Sequence, residues 1–246
     1  MCGRYASSRP VDDLLVRFDV PEPPEQVLPP SWNVAPTDPV YVVLHRHGSR
    51  RLRVVRWGLV PSWAKDRKIG ARLINARRET LTEKPAFRSA YERRRCLVPA
   101  DGYYEWQAQG ARKQPWFLTA HGGGPLAMAG LYEVWRDPDD ELLWTCTVIT
   151  TEAADDHGQI HDRTPLLVPP DAWERWLDPT VPDPGADLLV PGTAGVLDAW
   201  PVGAAVGNVR NNGPELVAAV DPSGVVRDRV GPGGRARGHD RPERPT

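Results

Sequence analysis

Cysteine is scarce in this chain, with three in 246 residues: Cys2, Cys96 and Cys146. They form no CxxC pair and no Cys/His spacing, which argues against a zinc site. An odd, sparse set also argues against a disulfide framework and suits a reducing compartment. Long apolar runs are missing as well. No stretch approaches the ~18 residues that a membrane helix requires, and no charged leader runs into an apolar segment. A soluble, cytoplasmic protein without a membrane partner is therefore expected. The chain also lacks an overall charge of one sign; its formal net charge is −1. No internal repeat or linker divides residues 1 to 220, so one large domain with a sizeable core is expected.

The charge that is present is unevenly spread. Between Arg46 and Arg95 sixteen Lys/Arg face four Asp/Glu, a surplus of twelve, which leaves −13 for the remainder. Such asymmetry suggests a basic surface facing a polyanion, the alternative being a solvated basic face with no partner. Periodicity predicts helices over Val11–Val20, Glu83–Arg95, Asp171–Leu177 (Asp171 as N-cap) and Pro214–Val220. Alternating or β-branched runs predict strands over Val40–Leu44, Arg51–Leu59, Cys96–Ala100, Gly102–Trp106, Gln114–Ala120, Leu126–Trp135, Leu142–Thr150 and Pro165–Val168. His47-Gly48-Ser49 supplies a hairpin turn. Cys96 and Cys146 fall in apolar strands, as inert buried thiols. From Pro222 onward, Pro, Gly and Arg without large apolar residues predict a disordered, mildly basic tail. The pattern fits a single α+β domain on a curved, barrel-like, mainly antiparallel sheet with flanking helices.

Cys2 directly follows the initiator methionine, and its small side chain favours trimming of Met1. That would leave an α-amine and a thiol on one residue, titrating near ~8 and ~8.5 when unperturbed. Such a 1,2-aminothiol can attack a carbonyl as an amine or as a thiolate, and with an aldehyde it can close a five-membered thiazolidine ring. From position alone, Cys2 is equally a small residue at a start site. Trp57 and Trp63 bracket a bend beside the basic run. They suit base stacking or, equally, the core.

Four motifs stand apart: Cys2-Gly3-Arg4-Tyr5, Asn75-Ala76-Arg77 with Glu79, Gly102-Tyr103-Tyr104-Glu105-Trp106, and His161-Asp162-Arg163. Together with Trp57-Gly58-Leu59-Val60-Pro61-Ser62-Trp63 and Asn208-Val209-Arg210-Asn211-Asn212, they resemble the SRAP family, the SOS-response-associated peptidases or abasic-site-processing proteins. The likeness runs in order from residue 2 to roughly 219. It implies a protein that binds single-stranded DNA and attaches covalently to abasic sites through Cys2, as a monomer and without a metal or other cofactor, nucleoid-associated when on DNA. By the same resemblance Asn75 hydrogen-bonds near the sugar, Glu105 handles the amine and ring-opening protons, and His161 is a general acid/base. The residue types agree: imine formation needs a neutral amine and an acid to expel water, and a carboxylate and an imidazole can divide those tasks. Taken singly, Glu105 and His161 would be strand-end salt-bridge partners.

Arg4, Arg77 and Arg163 neighbour these residues, and guanidinium forks suit phosphate oxygens. Each could instead pair with a surface acid. Trp106 could stack on a base or belong to the core. The family name implies that Cys2 cuts its own bond to Met1, a step an aminopeptidase could equally perform. Two other classes compete: an N-terminal-nucleophile glutamine amidotransferase, which also begins Met-Cys-Gly, and a non-catalytic single-stranded DNA reader that ignores Cys2.

Overall fold

The chain turns back on itself wherever a β-branched run meets a Gly or Pro bend, and strands dominate the result. A computed structural model describes residues 2–153, 159–189 and 196–221; Met1 and the tail from Pro222 lie outside the described residues. β1 (Tyr5–Ser7) and α1 (Val11–Phe18) open the chain, and β2 (Ser31–Val34) follows the proline-rich segment. β3 (Pro39–Arg46) and β4 (Ser49–Trp57) form a hairpin whose turn holds His47 at φ 52° and Gly48 at φ 79°. Two left-handed turn residues match the right-handed twist of the flanking strands. β5 (Asn75–Arg77), α2 (Arg88–Arg93), β6 (Arg95–Ala100), β7 (Gly102–Gln109), β8 (Arg112–Ala120), β9 (Leu126–Arg136) and β10 (Leu142–Glu152) come next. β11 (Arg163–Pro165), α3 (Trp173–Leu177) and β12 (Leu197–Pro201) complete the set.

Strands β10, β4, β3, β6 and β9 are neighbours in that order, and β9 pairs back onto β10, closing a five-stranded barrel. β5 and β11 extend this sheet beyond the ring, both on β10. A second sheet runs β12-β8-β7-β1-β2. Pairing is antiparallel except where β10 meets β4 and β5. This is the α+β, barrel-like domain expected from the sequence.

β3 shows why the ring closes. Its alternate residues Val40, Val42 and Leu44 point into an inner cluster with Val55, Trp57, Val98, Met128 and Cys146. Tyr41 and Val43 point outward to Phe18 of α1, Tyr91 of α2 and Trp173 and Trp176 of α3. With both faces buried, the run reads as continuously apolar rather than alternating. Cys2, Tyr5, Tyr103 and Leu118 of the second sheet join the inner cluster, so the second sheet is fastened to the barrel by shared core. Cys96 and Cys146 are fully buried there, and burial pushes both thiols well above their usual range.

Several boundaries differ from expectation. The helix foreseen over Glu83–Arg95 is confined to Arg88–Arg93, and the closing helix is a 3-10 turn over Pro214–Val217. Asp171 lies inside a 3-10 turn, and the cap positions belong to Pro169 and Ala172. β4 stops at Trp57 because Gly58 leaves at φ 125°. Gly58 and Gly70 approach so closely that a Cβ on Gly58 would sit 2.6 Å from the Gly70 carbonyl oxygen. The strand foreseen over Pro165–Val168 is shifted to Arg163–Pro165, with Leu167 making an isolated bridge to Met128. β1, β2, β5 and β12 were not foreseen; segments of three to five residues carry too little periodicity to be seen alone.

Several cations of the basic stretch are engaged within the fold. Arg50, Arg51 and Arg94 pair with Glu174, Glu22 and Glu133, acids from elsewhere in the chain. Arg46 and Arg53 lie over the Trp144 ring, at 5.3 and 4.0 Å from its centroid. Arg95 is 3% exposed and donates to the carbonyls of Tyr91, Glu92, Trp176, Asp178, Val181 and Pro182, which ends α2 and α3 on one cation. Arg95→Met should leave several of these carbonyls unpaired and lower the unfolding free energy by about 3 kcal/mol or more, measured by urea denaturation. Gly58→Ala should lower it by about 1–3 kcal/mol through the strained φ and the clash with Gly70.

Candidate active site

Backbone pairing brings the amino terminus to the motif around Glu105. β1 runs antiparallel to β7 with Tyr5 opposite Tyr103 and Ala6 opposite Gly102, and the Tyr104 amide donates to the Arg4 carbonyl at 2.9 Å. Each step back from Tyr5 along the chain is a step forward along β7, so Cys2 comes within the electrostatic reach of Glu105. β10 delivers the other two groups from its two edges. Val148 pairs with Asn75 on β5, and Glu152 pairs with Arg163 on β11, two residues after His161.

Asn75 Nδ2 donates to the Cys2 carbonyl at 2.7 Å. Its Oδ1 is buried and has no hydrogen-bond partner among the described residues. Glu105 and His161 line one small cavity of about 10 Å³ together with Tyr103, Arg163 and Thr164. The hydroxyls of Tyr103 and Thr164 bond across it at 2.8 Å. Cys2, Asn75, Glu105 and His161, dispersed over 160 positions of sequence, thus fall into one cluster.

Burial sets the protonation of the three titratable groups. The Cys2 thiol is fully buried, and burial, then the charge of Glu105, holds it far above the usual thiol range, so it is neutral. Burial also raises the Glu105 carboxyl from 4.5 to about 7, with the charge of Asp162 adding to the rise. A carboxyl poised there can take or give a proton near neutral pH. Burial lowers His161 below 6.5. Its Nδ1 accepts the Arg163 backbone N–H at 3.0 Å, a contact that favours the ring proton on Nε2, while a carboxylate oxygen of Asp162 lies 2.9 Å from the same Nδ1, a contact that favours the proton on Nδ1.

The residues expected on the DNA have mixed fates. Trp57 is corrected: it is fully buried inside the barrel and stacks on no exposed base. Its Nε1 donates to the Ile74 carbonyl at 2.9 Å, and its ring meets Tyr5 edge-on at 5.2 Å, so it supports the cluster from beneath. Arg163 meets an acid of this chain, its two terminal nitrogens bonding both Glu79 oxygens at 2.9 and 3.1 Å. Arg4 uses Nη1 on Asn33 Oδ1 and on the Val206 carbonyl, at 2.8 and 2.9 Å. Trp106 is half-buried against Tyr104 and Phe117, whereas Arg77 and Trp63 are exposed.

Asn33 was missed. It is 4% exposed, accepts from Arg4, and donates to the Asn208 and Asn211 carbonyls at 3.0 and 2.8 Å, tying β1 and β2 to the late Asn-rich loop. One asparagine beside a proline-rich stretch carries no signal of partners 175 residues away. No cluster of three or more metal-ligating side chains occurs among the described residues, and none of their helices is long and apolar enough to cross a membrane.

Comparison with known proteins identifies the family. Residues 1–209 match the profile of the SOS response associated peptidase (SRAP) family. The chain is 40% identical over 221 residues to the abasic site processing protein YoqW of Bacillus subtilis, covering 88% of this chain and 99% of that one. It is 34% identical over 232 residues to YedK of Escherichia coli, also named an abasic site processing protein, covering 89% and 100%. A crystal structure of a protein from Bacteroides thetaiotaomicron superposes with a TM-score of 0.81 at 25% identity, over 89% of this chain and 100% of that one. A family match across most of the sequence, with a shared fold and full-length relatives, places the chain: it belongs to the SRAP family, whose curated relatives are abasic site processing proteins.

Proposed function

We propose that this protein captures abasic sites in single-stranded DNA covalently through Cys2, once Met1 is removed. The observation that carries the reading is the Asn75–Cys2 hydrogen bond, which fixes the nucleophile's backbone in the same cluster as a carboxyl poised near neutral pH. The ring-opened sugar of an abasic site presents an aldehyde at C1′. The Cys2 amine adds to that carbon, and the resulting carbinolamine loses its hydroxyl as water, with Glu105 or His161 supplying the proton. Sγ then adds to the imine carbon, the thiol proton passes to Glu105, and the former imine nitrogen gains a proton. The net change is aldehyde plus aminothiol to thiazolidine plus water. Because the thiol starts neutral, amine attack precedes sulfur addition.

Asn75 Oδ1, buried and unpartnered, suits a hydroxyl or amine donor of the reacting centre. Exposed Arg77 and Trp63 suit contact with a phosphate and a base, and half-buried Trp106 directly follows Glu105. Arg4 acts mainly by fixing the segment between Cys2 and β1. One molecule suffices for one lesion, so a monomer is adequate. Cleavage of the Met1–Cys2 bond by the protein itself would use the same groups. With the family established, the amidotransferase reading is set aside. The non-catalytic reader predicts that Cys2→Ala binds abasic DNA as well as wild type and that no covalent product exists.

Incubation with an abasic single-stranded oligonucleotide should give a band that survives denaturing electrophoresis, with none on intact DNA. Cys2→Ser should give that band only after borohydride reduction, because its amine still forms an imine but no thiazolidine follows. An unreduced Cys2→Ser adduct as durable as wild type would sink the mechanism. Glu105→Gln should slow capture roughly 10- to 100-fold, the range of general acid–base effects. It should also stabilise the fold selectively. A carboxyl raised from 4.5 to about 7 costs nothing below pH ~4.5, and its cost grows as pH rises through 7. Denaturation at pH 8 should therefore favour Glu105→Gln by on the order of 3 kcal/mol, with no advantage at pH 4.5.

A further inference from the structure

We infer that Glu79, to which no role has been attached, is a positioning residue that sets the orientation and tautomer of His161 through Arg163. Glu79 sits in the 3-10 turn Arg78–Thr80, which directly follows the strand carrying Asn75. Both of its oxygens take the Arg163 fork, at 2.9 and 3.1 Å. Arg163 Nη2 also donates to the Thr150 carbonyl at 2.7 Å, so the guanidinium is held from two elements. Its side chain is 11% exposed against 37% for Glu79, and a two-oxygen ion pair with one member buried is well ordered. The backbone N–H of this same residue donates to His161 Nδ1 at 3.0 Å.

The chain of contacts has one mechanical consequence. Glu79 clasps the segment bearing Asn75 to the segment bearing His161, although the two meet only along β10. Without the clasp, Arg163 retains its strand pairing to Glu152 but loses the anchor that fixes its side chain, and the preceding turn is freed to rotate. His161 Nδ1 already stands between two partners, and freeing the Arg163 N–H would leave it to the Asp162 carboxylate 2.9 Å away. An imidazole that turns to the carboxylate would carry its proton on Nδ1, and its Nε2 would change from donor to acceptor. Arg163, first read as a phosphate contact, becomes in this account a strut between a carboxylate and an imidazole. Such support outside the reacting groups is what holds a site to productive geometry.

The charged groups facing His161 are the α-amine of the chain, Glu105 on β7, Lys113 on β8, and Asp162 and Arg163 on its own segment. None is altered by Glu79→Gln, so a change in His161 reports the clasp itself. The variant keeps one acceptor oxygen but turns an amide donor toward the second Arg163 nitrogen. Glu79 is partly solvent-facing, so the variant folds; Arg163→Lys, which keeps the charge but not the fork, is the second test.

Two measurements decide the matter. Nitrogen-15 NMR of the full chain, with the His161 signals assigned by difference from His161→Ala, reads the tautomer and the titration midpoint. Wild type should show the Nε2–H form with a midpoint below the usual 6.5. Glu79→Gln and Arg163→Lys should both show mixed tautomers and a midpoint moved upward as burial is relieved. The second measurement, which rests on the covalent-capture reading, is the single-turnover rate on abasic single-stranded DNA at saturating protein. Glu79→Gln should be about 10-fold slower with unchanged binding of intact strand, and should add no further loss in a His161→Ala background. Unchanged His161 spectra in both variants, or losses that multiply in the double variant, would overturn the clasp. Wild type that fails to capture abasic DNA would sink the functional reading instead, and the NMR result would then judge Glu79 alone.

Discussion

A hydrogen bond from Asn75 Nδ2 to the carbonyl of Cys2 joins the two sheets of this molecule at the point where chemistry is expected. Asn75 opens β5, an extension of the barrel sheet; Cys2 precedes β1, in the second sheet. The inner apolar cluster presses the two sheets together but does not select a register between them. A directional bond does. Trp57 reinforces it from below, with its indole N–H on Ile74 and its ring against Tyr5, so both ends of the bond are braced by one side chain.

The same burial that fastens the sheets also prepares the reacting groups. Removing water disfavours whichever form carries charge, so a thiol and a carboxyl rise and an imidazole falls. All three shifts occur here in those directions, at Cys2, Glu105 and His161, with desolvation the first cause in each. The site is therefore biased toward neutral forms, and proton transfer between near-matched groups becomes cheap. A buried carboxyl is correspondingly costly to the fold at alkaline pH, the usual tension between stability and a working site.

Much of the fold was legible from pattern. β3, β9 and β10 are long β-branched or alternating runs, and their burial on two faces left unmistakable apolar stretches. The short elements were not legible, and they are the ones that build the site: β1, β5 and β11 have three residues each and exist because β7 and β10 offer them a ladder. Cys2, Asn75, Glu105 and His161 were found through motif order and residue chemistry, and the structure gathers them. Trp57 misled because an indole looks the same in sequence whether it faces solvent or the core.

By itself, the sequence determined the class of the domain, the chemical potential of a cysteine at position 2, and the set of groups able to serve it. Those properties are local: they follow from side-chain pKa, from hydrophobic periodicity and from the order of motifs along the chain. Only the tertiary structure decided which cations remain free. Of the sixteen cations between Arg46 and Arg95, Arg50, Arg51 and Arg94 found distant acids and Arg95 entered the core. Ion pairing and burial depend on partners far away in sequence, and no local pattern encodes them. The roles of Asn33, Glu79 and Trp57 as braces belong to that second category for the same reason.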